Sequence, residues 1–173
     1  MKANRILIPA VALLLVFVAC DDDDDDDGAG PGTSFTATLS GANEVPPVPS
    51  AATGTATLEI NESSIDYTID VSGLENPVVS HIHIAPVGEN GDVRLNLCGT
   101  SETPECGTGD GVLVTGSNGI TVGTPPITFD DLVAAIRAGD AYVNVHTDDG
   151  IEPANTGPGD MASGEIRGQI EAD

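Results

Sequence analysis

Three histidines, His81, His83 and His146, are the residues of this 173-residue chain best suited to hold a metal ion. Neutral imidazole is a good ligand for Cu²⁺ and Zn²⁺, and three imidazoles plus water make a workable open site. His81 and His83 flank Ile82, and His146 ends the run Tyr142-Val143-Asn144-Val145-His146. Side chains alternate between the two faces of a strand. His81 and His83 therefore share one face while Ile82 and Ile84 share the other. Val143 and Val145 likewise oppose Tyr142, Asn144 and His146. With the aliphatic faces turned to the core, every histidine looks outward, and neighbouring strands bring the three together. The plainer reading is a solvated sheet face whose histidines bond Asn144, Thr147 or a nearby acid.

Two other sets of residues carry chemistry. Acidic loops at Glu89-Asn90-Gly91-Asp92, Asp110-Gly111, Asp148-Asp149-Gly150 and Asp160 offer oxygen ligands for Ca²⁺, although none has the spacing of an EF-hand loop. Turn residues on an acidic surface are the preferred reading of them. Cys98 and Cys106 bracket a polar loop without the spacing of a thiol-redox motif, so they are expected to form a structural disulfide. No Ser-His-Asp order, phosphate-binding loop or paired catalytic carboxylates stands out, and the domain reads as non-enzymatic.

The elements that must position these residues are short alternating runs. Phe35, Ala37 and Leu39 alternate with polar residues, as do Ala56, Leu58 and Ile60. Ile65, Tyr67, Ile69 and Val71 form a third set, with a turn at Asn61-Glu62-Ser63 between it and the second. Val93, Leu95 and Leu97 form a fourth, and Ile166 and Ile170 mark a last strand near the C-terminus. Each reads as a half-buried antiparallel strand. One segment changes period: Thr128 opens a Ser/Thr-x-x-acid start, and Leu132, Val133 and Ile136 line one side of a short helix that Gly139 stops. The expected fold is all-β, an antiparallel Greek-key β-sandwich or barrel with one short helix. Gly41-Ala42-Asn43-Glu44-Val45-Pro46-Pro47 reads as a turn after the first strand. Glu165 and Arg167, and Asp92 with Arg94, share strand faces, so the arginines are expected to neutralise clustered surface acids.

The start of the chain reads as an address. Lys2 and Arg5 precede a run that is apolar apart from Pro9, too short for a membrane span and ending at Phe17-Val18-Ala19-Cys20. This resembles the lipobox of bacterial lipoproteins, with Phe17 where Leu is usual. The expectation is a signal peptide over residues 1–19, lipidation at Cys20, and an acidic disordered linker over residues 20–33 that includes seven consecutive aspartates. Residues 34–173 then form one domain in the bacterial envelope, lipid-anchored and extracytoplasmic. Its basic residues are Arg94, Arg137 and Arg167, set against 28 acidic residues in a chain of net charge −23. Such a surface repels nucleic acid.

Phe35-Thr36-Ala37-Thr38-Leu39-Ser40-Gly41-Ala42-Asn43-Glu44-Val45-Pro46-Pro47 resembles the opening of the CHRD domain, named for its repeats in chordin. The His81-Ile82-His83 strand, the helix, Tyr142-Val143-Asn144-Val145-His146-Thr147 and Gly164-Glu165-Ile166-Arg167-Gly168-Gln169-Ile170 follow in the family's order. Two departures flank the histidines: Ile84-Ala85-Pro86 replaces the usual approach to a glycine, and the acidic loop between Thr147 and Gly164 is longer than usual. The resemblance implies a secreted or surface β-domain, with no reaction attached to its bacterial members. The leading expectation is therefore a tethered binding or structural domain for an unknown protein or envelope ligand. The alternative is a copper or zinc protein with a redox or metal-handling role. Its His-x-His is similar to the copper strand of copper-zinc superoxide dismutase, without that family's fourth histidine or zinc loop. A third reading is a calcium-dependent adhesion module.

Overall fold

The computed structural model describes residues 33–173. The signal peptide, Cys20 and almost all of the acidic linker lie outside the described residues. β1 (Ser34–Ser40), β2 (Thr53–Ile60) and β3 (Ile65–Ser72) form an antiparallel meander, followed by the paired β4 (Pro77–Ile84) and β5 (Asp92–Cys98). β6 (Gly111–Asn118), the helix α1 (Phe129–Arg137), β7 (Ala141–Thr147), β8 (Ile166–Gln169) and β9 (Glu171–Ala172) complete the chain. The strands run β5-β4-β7-β8-β1-β2-β3-β6 in one sheet, with β9 beside β1. β5 and β6 approach each other where the Asn118 amide donates to the Asn96 carbonyl at 2.9 Å and Leu95 bridges Thr121. The result is a nearly closed antiparallel barrel with one short helix, as the alternating pattern predicts. No helix among the described residues is long and apolar enough to cross a membrane.

The core is built from the inward positions of that pattern. Leu39, Ile65, Ile69, Ile82, Leu95, Leu97, Val143, Val145 and Ile166 are fully buried. At roughly 1.5–3 kcal/mol for each large aliphatic side chain, their burial is the main driving force for closure. Tyr67 enters the same core and satisfies its hydroxyl on the Leu97 carbonyl at 2.7 Å. α1 covers one part of the core with Leu132, Val133 and Ile136. Its start is the expected capping box: the Thr128 hydroxyl accepts from Asp131 N–H at 3.1 Å, and the Asp131 carboxylate accepts from Thr128 N–H at 2.9 Å. Gly139, at φ 76°, turns the chain out of the helix.

The sequence pattern does not announce β6. Its pairing with β3 shifts register between Ile69 and Asp70, so Leu113 and Val114 are buried side by side and the alternation is lost. The disulfide joins Cys98 to Cys106. It ties the end of β5 to the loop that leads into β6.

Candidate metal centre

β4 and β7 pair antiparallel, with His83 opposite Tyr142, His81 opposite Asn144 and Val79 opposite His146. Residues paired in this way project from the same face. His81, His83 and His146 thus meet on the outer face of the barrel, while Ile82, Val143 and Val145 fill its interior. His81 Nδ1 lies 3.4 Å from His146 Nε2, and one nitrogen from each of the three rings falls within 4.8 Å of the others.

The expectation that these histidines are solvated requires correction. His83 and His146 are 7% and 9% exposed, and every residue of β7 is buried on either face. Non-local loops cover this outer face. Residues 44–49 lie over His83, Tyr142 and Asn144, and the 148–164 loop reaches back over His146. Nor are the hydrogen-bond partners Asn144, Thr147 or an acid. His83 Nδ1 is 2.9 Å from the Gly91 carbonyl and His146 Nδ1 is 2.9 Å from the Ala162 carbonyl.

Those two contacts fix the chemistry. A carbonyl only accepts, so both Nδ1 atoms carry the proton and both Nε2 atoms present a lone pair. His83 Nε2 is buried without a partner, and His146 Nε2 faces His81. His81 therefore donates its Nδ1 proton to His146 when no cation replaces that proton. Ring orientation is fixed as well. His83 stacks on Tyr142 at 4.8 Å with 7° between planes, and the Arg167 guanidinium covers Tyr142 at 3.4 Å from the ring centroid.

Burial sets the charge state. It pushes His81 from 6.5 down to about 3, helped by the neighbouring His146 and His83. It pushes His83 down to about 4 against the opposing pull of the Gly91 carbonyl. His146 is lowered by the same burial, partly offset by the Ala162 carbonyl. All three rings are neutral at neutral pH, the form that binds metal.

A cavity of about 540 Å³ adjoins the cluster, lined by His83, Tyr142, Asn144, Glu44, the prolines at 46, 47 and 49, and Gly164. Glu44 is 6% exposed, and its Oε1 and the Asn144 Oδ1 are both buried without a partner. Gly164, at φ 118°, lets them approach, since a Cβ there would stand 2.6 Å from the Asn144 amide and 2.9 Å from Glu44 Oε1. Burial raises Glu44 to about 7, although Arg167 and Asn144 pull it down. Glu44 was not legible as a site residue: it stands in a proline-rich segment that reads as a turn. Its proximity to β7 depends on the fold.

Arg167 and Glu165 are also not surface charges. Both are about 2% exposed or less. Arg167 donates to the Asn90 side chain and the Glu89 carbonyl, and Glu165 accepts from Ser50, Thr147 and Gly159 N–H. Arg94 does pair with Asp92, at 3.1 Å. Of the acidic loops, Asp148, Asp149 and Asp160 come together, with carboxylate oxygens within 4.8 Å of one another.

The family described as the CHRD domain matches residues 35–170, which takes in both histidine strands, the helix and the closing strand. No curated protein matches the chain.

Proposed function

The chain belongs to the CHRD domain family, and from that premise we propose that it is an extracytoplasmic binding domain whose ligand is one Zn²⁺ or Cu²⁺ ion held by His81, His83 and His146. Family membership by itself supports an extracellular binding or structural domain in general. The metal is the finer reading. The observation that carries it is the pair of fixed tautomers: the Gly91 and Ala162 carbonyls take the Nδ1 protons of His83 and His146, which leaves the His83 Nε2 lone pair without a partner and the His146 Nε2 lone pair facing only His81. Outer-shell carbonyls play this part in histidine–metal sites.

The spacing fits with little movement. Nitrogens about 2.0–2.1 Å from a tetrahedral ion stand about 3.3 Å apart. The His81–His146 pair is already at 3.4 Å. The third ring has to close from within 4.8 Å, a change that a small rotation supplies. A fourth position would open towards the cavity lined by His83 and Glu44, which gives water or a small ligand a route to the ion. Both metals suit three neutral imidazoles, and direct metal analysis separates them.

Competition titration of the mature, metal-stripped chain against a chromophoric chelator tests the reading. One ion per chain is expected, and each of His81→Ala, His83→Ala and His146→Ala should weaken binding by about 100-fold or more, since loss of an outer-shell partner alone costs about 10–100-fold. Equal affinity in the wild type and the triple variant contradicts it.

The address is part of the proposal. The apolar run ending at Ala19-Cys20 and the acidic spacer after it support a lipid anchor at Cys20. Cys20→Ala should release the protein from membranes or leave its signal uncleaved. Unchanged detergent partitioning of the variant contradicts the anchor.

A further inference from the structure

We propose that Asp148, Asp149 and Asp160 form a Ca²⁺ site that clasps the two ends of the 148–164 loop, separate from the histidines. One carboxylate oxygen from each lies within 4.8 Å of the others. Asp160 sets this cluster apart from ordinary exposed acids. It is 4% exposed, and its Oδ1 is buried with no hydrogen-bond partner. Its Oδ2 is saturated by Thr156 N–H at 2.9 Å and the Thr156 hydroxyl at 2.6 Å, so it is Oδ1 that awaits a partner.

The other two acids are arranged alike. Asp148 Oδ1 accepts from Gly150 N–H and Asp149 Oδ1 from Ile151 N–H, which leaves each a second oxygen. Among the described residues the only cationic side chains besides the histidines are three arginines, none paired with these carboxylates: Arg94 is paired with Asp92, Arg167 lies across Tyr142, and Arg137 is in the last turn of α1. Hydrogen bonds from Thr156 hold the Asp160 carboxyl below the usual carboxylate range, so it is ionised and its unpartnered Oδ1 can take a cation.

Ca²⁺ fits this set better than Mg²⁺. Oxygens about 2.3–2.6 Å from Ca²⁺ lie up to about 5 Å apart across the ion, in irregular geometry with room for water and carbonyl ligands. Mg²⁺ needs oxygens at about 2.0–2.1 Å in a near-ideal octahedron. The location has a consequence for the fold. Met161, next to Asp160, exchanges two hydrogen bonds with Thr147, and the Ala162 carbonyl holds His146. An ion joining Asp148 and Asp149 to Asp160 secures the loop that buries His146.

The test uses Ca²⁺ on the mature chain, with Asp148→Ala and Asp160→Asn compared against the wild type. The aspartates at 21–27 are common to all three and cancel as loose background. The expected result is one site in the wild type with Kd of about 10⁻⁴–10⁻³ M, in the range of extracellular modules. Ca²⁺ should slow proteolysis within the 148–164 loop about tenfold, and Mg²⁺ at the same concentration should not. Both variants should lose at least about tenfold in affinity. Asp148 is exposed, so its variant tests the site even if Asp160→Asn folds poorly. The His81→Ala, His83→Ala, His146→Ala triple variant should keep the site, which separates this proposal from the histidine reading. Identical Ca²⁺ binding and loop protection in the wild type and Asp148→Ala would overturn it.

Discussion

The two sides of the barrel treat their outer faces differently. On β2 and β3 the alternation is clean: Ala56, Leu58, Ile65, Tyr67 and Ile69 are buried, and Thr55, Thr57, Asp66 and Asp70 between them are exposed. On β4 and β7 the inward aliphatic residues are the same kind, yet the outward ones, His83, Tyr142, Asn144 and His146, are buried too. The first side is a half-solvated antiparallel sheet. The second is roofed by the 44–49 and 148–164 segments, and its outer face has become a polar interior where an unpaired group is costly. The polar interior thus sits where both faces of a strand are buried and one is polar. The three histidines, Glu44, Asn144 and Arg167 all lie on that side.

The contrast can be broken first at Glu165, beneath the roof. Glu165→Ala leaves the Ser50 and Thr147 hydroxyls and Gly159 N–H without their acceptor, and should cost about 3 kcal/mol or more in a denaturant titration. Thr57→Ala on the open side should stay within about 0.5 kcal/mol. Equal costs would mean that the roof is only loosely packed. Next in size is the metal: an ion at 100 times its Kd should stabilise the wild type by about 2.7 kcal/mol, an increment that a chelator removes and that His83→Ala lacks. Comparable to it is the disulfide, which ties β5 to the loop before β6. Reduction of Cys98–Cys106 should cost about 2–3 kcal/mol for so short a ring and leave metal affinity unchanged.

The pH dependence of the metal-free protein sharpens the comparison further. The native histidines stay neutral far below 6.5, with His81 near 3 and His83 near 4, whereas those of the unfolded chain take up protons near 6.5. Stability is fully present above about 6.5 and falls as pH drops towards 4. Glu44 opposes this. It keeps its proton to about 7 when folded and loses it near 4.5 when unfolded, so its contribution is present below 4.5 and fades as pH rises to 7. Two histidines outweigh one glutamate between about 4.5 and 6.5, where the net stability should climb with pH. Glu44→Gln should steepen that climb, as read by melting temperature across the series.

The open side and the helix were legible in the sequence because their determinants are local. Phe35, Ala37 and Leu39 alternate, and Thr128 and Asp131 spell out their own helix cap. The outward register of the three histidines was legible for the same reason: His81-Ile82-His83 admits one arrangement on a strand with an aliphatic inner face. The roof was not. Nothing in Glu44-Val45-Pro46-Pro47 states that it folds over β7, because that contact joins segments about a hundred residues apart, and nothing in the acidic stretch after Thr147 states that Ala162 returns to His146, sixteen residues back. The burial of Arg167 and Glu165 was hidden because Asn90 and Ser50, which bond them, come from distant parts of the chain.

The most direct test of the central claim is X-ray absorption on the mature chain loaded with one equivalent of Zn²⁺. Three imidazole nitrogens at about 2.0–2.1 Å, with ring scattering lost stepwise in the His81, His83 and His146 variants, are predicted. A first shell of oxygens alone, unchanged by those substitutions, would contradict the account.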